Sequence, residues 1–134
     1  MGSVTMRCYA ELSLDSDKPF WVTRKVLLEH FNQQDLLCRE SNKVTSAYLK
    51  DWFCPPVGGI ARFKLPTVQF IAGRTQFING RHRTAVLLRY LEHVPIAFAL
   101  ATNGRELDGW PPLRPLDLNQ HIDLPDLLLV ESLP

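Results

Sequence analysis

The sequence carries almost no net charge: 15 Lys+Arg stand against 14 Asp+Glu, a formal +1 at pH 7. A surface without excess of one sign is not a general polyanion binder. Tight non-specific DNA binding, which draws on many phosphate contacts, is therefore disfavoured. Any nucleotide or nucleic-acid site is expected to be local. No apolar run approaches membrane-spanning length, and no signal-peptide h-region opens the chain. Cysteine is scarce. Cys8, Cys38 and Cys54 are an odd number at long spacings, with no zinc pattern and no redox pair. The expectation is reduced thiols in a cytoplasmic protein. The histidines, His30, His82, His93 and His121, are scattered without a His-x-x-x-His or an accompanying carboxylate pair, so no structural metal is expected. Walker loops, nucleophile elbows, internal repeats and low-complexity blocks are missing as well.

What is present fits one domain. The 134 residues are enough for a core without staples, and a 46% hydrophobic content is ordinary. The expected class is α+β, a single small domain over 1–134. Residues 1–5 read as a tag remnant or flexible N-terminus, and 110–134 as a proline-rich extended tail.

The informative stretch is Leu65 to Ala101. Thr67-Val68-Gln69-Phe70-Ile71 and Thr75-Gln76-Phe77-Ile78 are rich in β-branched and aromatic residues. An Ala72-Gly73 turn separates them, and Asn79-Gly80 closes the second. From Arg81 the apolar residues Val86, Leu87, Tyr90, Leu91 and Val94 recur at helical spacing, and a strand is expected from Val94.

The first turn of that helix holds Arg81, His82 and Arg83. A helix N-terminus is already electropositive, so cations there are unfavourable. A bound phosphate or carboxylate would reverse the sign, with backbone N–H groups and two guanidinium forks converging on it. Gly80, without a Cβ, would let such a ligand approach. His82 titrates near neutrality and could donate to a phosphate or act as acid or base. The competing reading is that the arginines are solvated, or paired with acids such as Asp51 or Asp108.

Phe77-Ile78-Asn79-Gly80-Arg81-His82-Arg83-Thr84-Ala85, followed by an apolar helix and Val94-Pro95-Ile96, resembles the ParB/sulfiredoxin-like superfamily. More narrowly it is similar to the plasmid fertility-inhibition factors, bacterial proteins that block conjugative or T-DNA transfer of other plasmids. The resemblance covers about a third of the chain. It implies a mixed sheet with a hairpin–turn–helix–strand core, and a Gly-x-x-Arg phosphate turn mapping to Gly80 and Arg83. In sulfiredoxin a catalytic cysteine follows the glycine; Arg81 stands there, so sulfinic-acid reduction is not implied. ParB proper has further nucleotide motifs and a helix-turn-helix domain for which this chain leaves no length.

The implied site is therefore Asn79, Gly80, Arg81, His82 and Arg83 for phosphate, with His82 and Arg83 as catalytic candidates. The implied ligands are ATP or CTP with magnesium, or DNA, and the implied activities are NTP hydrolysis or DNA cleavage. Asp51, Glu106 and Asp108 are the candidate magnesium ligands. The alternative from another class is a catalytically inactive protein that docks on a transfer or defence component through Trp21, Trp52 and Trp110. A weaker third reading is a toxin-like or kinase-like enzyme of the same superfamily.

Elsewhere, Met6, Cys8, Ala10, Leu12 and Leu14 alternate with polar neighbours and predict a half-buried strand ended by Asp15-Ser16-Asp17. Thr23 is the expected cap of a helix from Arg24 to Phe31, with Trp21 stapled against it. Asn32 to Asn42 reads as loop, and Thr45 to Phe53 as a further helix. Cys54-Pro55-Pro56-Val57-Gly58-Gly59 reads as a connector or a flap beside Gly80. Arg62, Lys64 and Arg74 are candidate positive charges near a ligand. Asn103-Gly104 signals a turn, and Asp123 to Leu129 a short helical turn.

Overall fold

A computed structural model describes residues 5–31, 36, 53–57, 60–72, 74–100 and 105–125. The α+β class is as expected: among the described residues there are two α-helices, one 3-10 turn and nine strands in two sheets.

The alternating N-terminal run forms β1, Thr5–Glu11. Cys8 and Ala10 are buried while Leu14, expected to continue the pattern, lies beyond the strand and is exposed. β2, Lys18–Thr23, is a strand that the sequence did not announce. It ends at Thr23, whose hydroxyl accepts from the Val26 N–H and caps α1, Arg24–His30. Such a cap contributes about 1 kcal/mol. Val26, Leu27 and the following Phe31 are buried, as the helix pattern required.

β3, Phe53–Val57, corrects the connector reading of Pro55-Pro56 and ends the expected Thr45–Phe53 helix at Phe53; that helix otherwise falls outside the described residues. β3 occupies the edge of the sheet β3-β4-β1-β9, where prolines are tolerated because one side needs no donors. Paired to β4, residues 53–57 are a strand and not a mobile flap beside Gly80, while Gly58 and Gly59 lie outside the described residues. β4, Ile60–Lys64, runs antiparallel to β3 and parallel to β1. The chain then leaves this sheet through Leu65-Pro66 and enters the other. There β5, Thr67–Ile71, and β6, Arg74–Asn79, form the expected hairpin, with Ala72 at φ 51° in its turn.

α2, Arg81–Leu88, follows at once. It stops short of Tyr90, where the apolar pattern had continued, so Tyr90 is exposed rather than buried. Thr84 to Leu88 are all buried, so α2 runs through the interior instead of lying on it. Its last turn is held by Arg24, whose guanidinium donates to the carbonyls of Leu88 and Leu91 and meets Glu92 at 3.3 Å. A cation at a helix C-terminus is where the dipole favours one.

β7, His93–Phe98, returns parallel to β5, completing a strand–hairpin–helix–strand crossover. The second sheet has the order β6-β5-β7-β2-β8, with β2 antiparallel to β7 over six pairs, Lys18↔Phe98 to Thr23↔His93. The proline-rich segment packs back on both sheets. β8, Arg114–Pro115, pairs with β2, and β9, Ile122–Pro125, pairs with β1. Asp123 thus belongs to a strand rather than to the start of a helical turn. Asn103-Gly104 lies outside the described residues.

One apolar core joins the sheets and helices through Cys8, Phe63, Leu27, Leu87, Ile96 and Phe98. Burial, and secondly the nearby charge of Asp123, push the Cys8 thiol up from 9.0 to about 12. The neutral thiol is thus the form the fold favours. Its contribution is intact below pH 9 and is lost as pH climbs from about 9 toward 12. Urea midpoints measured between pH 8 and 10.5 should show the native protein losing ground relative to Cys8→Ala above pH 9. Parallel curves would show that Cys8 does not stay protonated there.

Candidate functional site

The hairpin, α2 and the Leu65-Pro66 corner meet at Asn79–Arg83. Gly80 is the N-cap of α2, in the left-handed region at φ 86°. It offers no side-chain cap, and the first turn contains no acid. The Gly80 carbonyl accepts from both the Thr84 N–H (2.9 Å) and the Thr84 hydroxyl (3.0 Å), so the helix begins firmly at this residue.

The sequence suggested that glycine stands here to admit a ligand. The structure gives another reason. A Cβ on Gly80 would lie 2.6 Å from Pro66 Cα, 2.7 Å from Pro66 Cβ and 2.9 Å from Arg83 Nη2. The space is filled by the corner where the chain passes between sheets, and by the chain's own arginine.

Arg83 folds back across Gly80. Its Nη2 donates to Asn79 Oδ1 at 2.9 Å and reaches the Leu65 carbonyl at 3.5 Å. The i,i+4 pair thereby fixes the guanidinium over the helix start. Asn79, read from the sequence as a phosphate contact, spends its side-chain oxygen on orienting Arg83. Arg81 is exposed and His82 half-buried in the same turn. Asn79, Gly80, Arg81, His82 and Arg83 are thus brought together, with Arg83 held in place and Arg81 exposed.

The other candidate cations lie on other elements. Arg62 lies in the other sheet, 3.6 Å from Glu11. Lys64 is exposed at the end of β4. Arg74 opens the six-residue β6 that Asn79 closes, which separates them by about 17 Å at strand rise. Among the proposed magnesium ligands Asp51 lies outside the described residues, while Glu106 and Asp108 sit in or beside the 3-10 turn Arg105–Leu107. Among the described residues no three of His, Cys, Asp and Glu converge as a metal site.

Trp21 lies beneath the Arg114 guanidinium, 5.2 Å from ring centre, and pairs within the sheet with Pro95 and Arg114. Trp110 packs among Phe31, Phe70 and Phe98 and stacks on His30. Both are half-buried, and Trp52 is outside the described residues. Sequence reasoning missed Pro66 and Leu65 as parts of the turn, because Thr67 comes opposite Asn79 only once the strands are paired. No helix among the described residues is long and apolar enough to cross a membrane. No protein-family model, no curated protein and no solved structure matches the chain.

Proposed function

We propose that the Asn79–Arg83 turn holds the phosphate of a nucleotide or of DNA. The domain would be of ParB/sulfiredoxin-like kind and act in the bacterial cytoplasm as an inhibitor of conjugative DNA transfer. One observation carries the reading: α2 begins on a glycine cap with no acid in its first turn, while Arg83 is held over that cap and Arg81 is exposed in the same turn. Backbone donors, the dipole and two arginines of one helical turn are the groups that an oxyanion would use. The same groups would stabilise charge developing on phosphorus if the turn hydrolyses NTPs or cleaves DNA, and His82 would be the candidate to move a proton. Magnesium would arrive with the nucleotide.

Calorimetric titration with ATP, CTP and a short single-stranded DNA tests this. Arg81 is the variant of choice over Arg83, because it is exposed while Arg83 holds Asn79 and the Leu65 carbonyl. A charge-assisted hydrogen bond is worth roughly 1.5–3 kcal/mol, so Arg81→Ala should weaken binding about 10- to 100-fold at low salt. Binding that ignores the substitution, or none to any of the three ligands, would sink the proposal.

A further inference from the structure

A second concavity lies at the opposite end of β6 from Gly80. It is an open groove of about 1040 Å³ between the end of α1, the tip of the β5–β6 hairpin and the 3-10 turn. Its aromatic wall is built from His30, stacked on Trp110 with centroids 4.3 Å apart at 21°, and Phe70, edge-on to Trp110 at 5.7 Å. Two carboxylates line it, Glu29 from α1 and Glu106 from the 3-10 turn. The C-terminus of α1 adds partial negative charge at the same place. Arg74 and His30 are the positively chargeable side chains that line it.

Aromatic faces, two carboxylates and a helix C-terminus attract the same kind of group, a soft organic cation. A guanidinium suits such a wall best, because its plane stacks on rings while its N–H fork meets carboxylates. The groove is larger than one such head group and matches a short segment of extended chain. We propose that this groove binds an arginine- or lysine-bearing peptide segment of a partner protein, with the basic side chain between Trp110 and the two glutamates. The site is separate from the phosphate turn and does not depend on it.

Proton–nitrogen correlation spectra of the full chain provide the test, read at the Trp110 indole N–H. The probes are acetyl-Gly-Arg-Gly-amide, its citrulline counterpart and agmatine. The arginine peptide should shift the Trp110 signal saturably, the citrulline peptide should not, and Glu29→Gln should weaken the response at least fivefold. Glu29 is exposed, so that variant keeps the fold, and Glu106→Gln is the second. Saturation by agmatine at equal affinity would name a free amine as the source of the cation and overturn the peptide assignment; preference for the peptide would support a protein segment. Equal shifts with citrulline, an unchanged Glu29→Gln response, or a silent Trp110 signal would overturn the inference. Arg81→Ala should leave all of these unchanged, so this result and the phosphate result fail separately.

Discussion

Gly80→Ala should destabilise the domain by roughly 2–5 kcal/mol, the sum of two effects. A left-handed backbone costs an L-residue about 1–2 kcal/mol. Forcing atoms into a filled site adds about 1–3 kcal/mol. Both conditions hold here: φ is 86°, and the new methyl would meet Pro66 backbone and ring at 2.6–2.7 Å. Those neighbours cannot swing aside, because Pro66 is the corner between sheets and its carbonyl accepts from Ala97 N–H at 2.9 Å. The molecule contains its own control. Gly109 has φ 85° with nothing within 4 Å of its would-be Cβ, so Gly109→Ala should show the backbone effect alone. Urea unfolding of the two variants isolates the Pro66 contact as their difference. Equal losses would mean that Pro66 does not press on Gly80. Against a total stability of about 5–15 kcal/mol, the larger loss leaves little fold, and phosphate binding should be judged from Arg81→Ala instead.

The comparison with sequence reading turns on how far apart partners lie along the chain. The β5–β6 hairpin, its Gly80 stop and the helix after it were legible because each is fixed by neighbours within a few residues. Thr23 as a cap was legible for the same reason. β2 was not, because Lys18-Pro19-Phe20-Trp21-Val22-Thr23 becomes a strand only between β7 and β8, whose paired residues lie far downstream, from Thr23↔His93 to Phe20↔Pro115. Pro55-Pro56 reads as a breaker until its edge position is known. The site shows the same split. That Gly80 matters could be read from the sequence. That Pro66 is the reason could not, and neither could the fold-back of Arg83 onto Asn79, since i,i+4 spacing also permits an outward arginine.

The other large expected effect lies where the distant partners converge. Phe98, fully buried at the end of β7, meets Phe20 at 5.8 Å, Phe31 at 6.5 Å, Phe70 at 6.2 Å and Trp110 at 6.0 Å. These rings come from β2, the end of α1, β5 and the segment after the 3-10 turn. Phe98→Ala should therefore cost about 3–5 kcal/mol. The upper end is favoured because one ring is shared by four aromatic partners, and all four pairings go with it. Phe98→Leu keeps most of the volume and should lose less. Beyond stability, the near-ultraviolet dichroism of the aromatic cluster should collapse in the alanine variant, because Trp110 and Phe70 lean on the ring that is removed. The groove they line should then respond more weakly to the arginine peptide even under conditions where the variant remains folded. The α2 mouth is built on Pro66, Asn79 and Arg83 and shares none of these rings, so it should bind as before in the same sample. A Phe98→Ala protein with native dichroism and native stability would show that this ring does not hold the sheet to its helices.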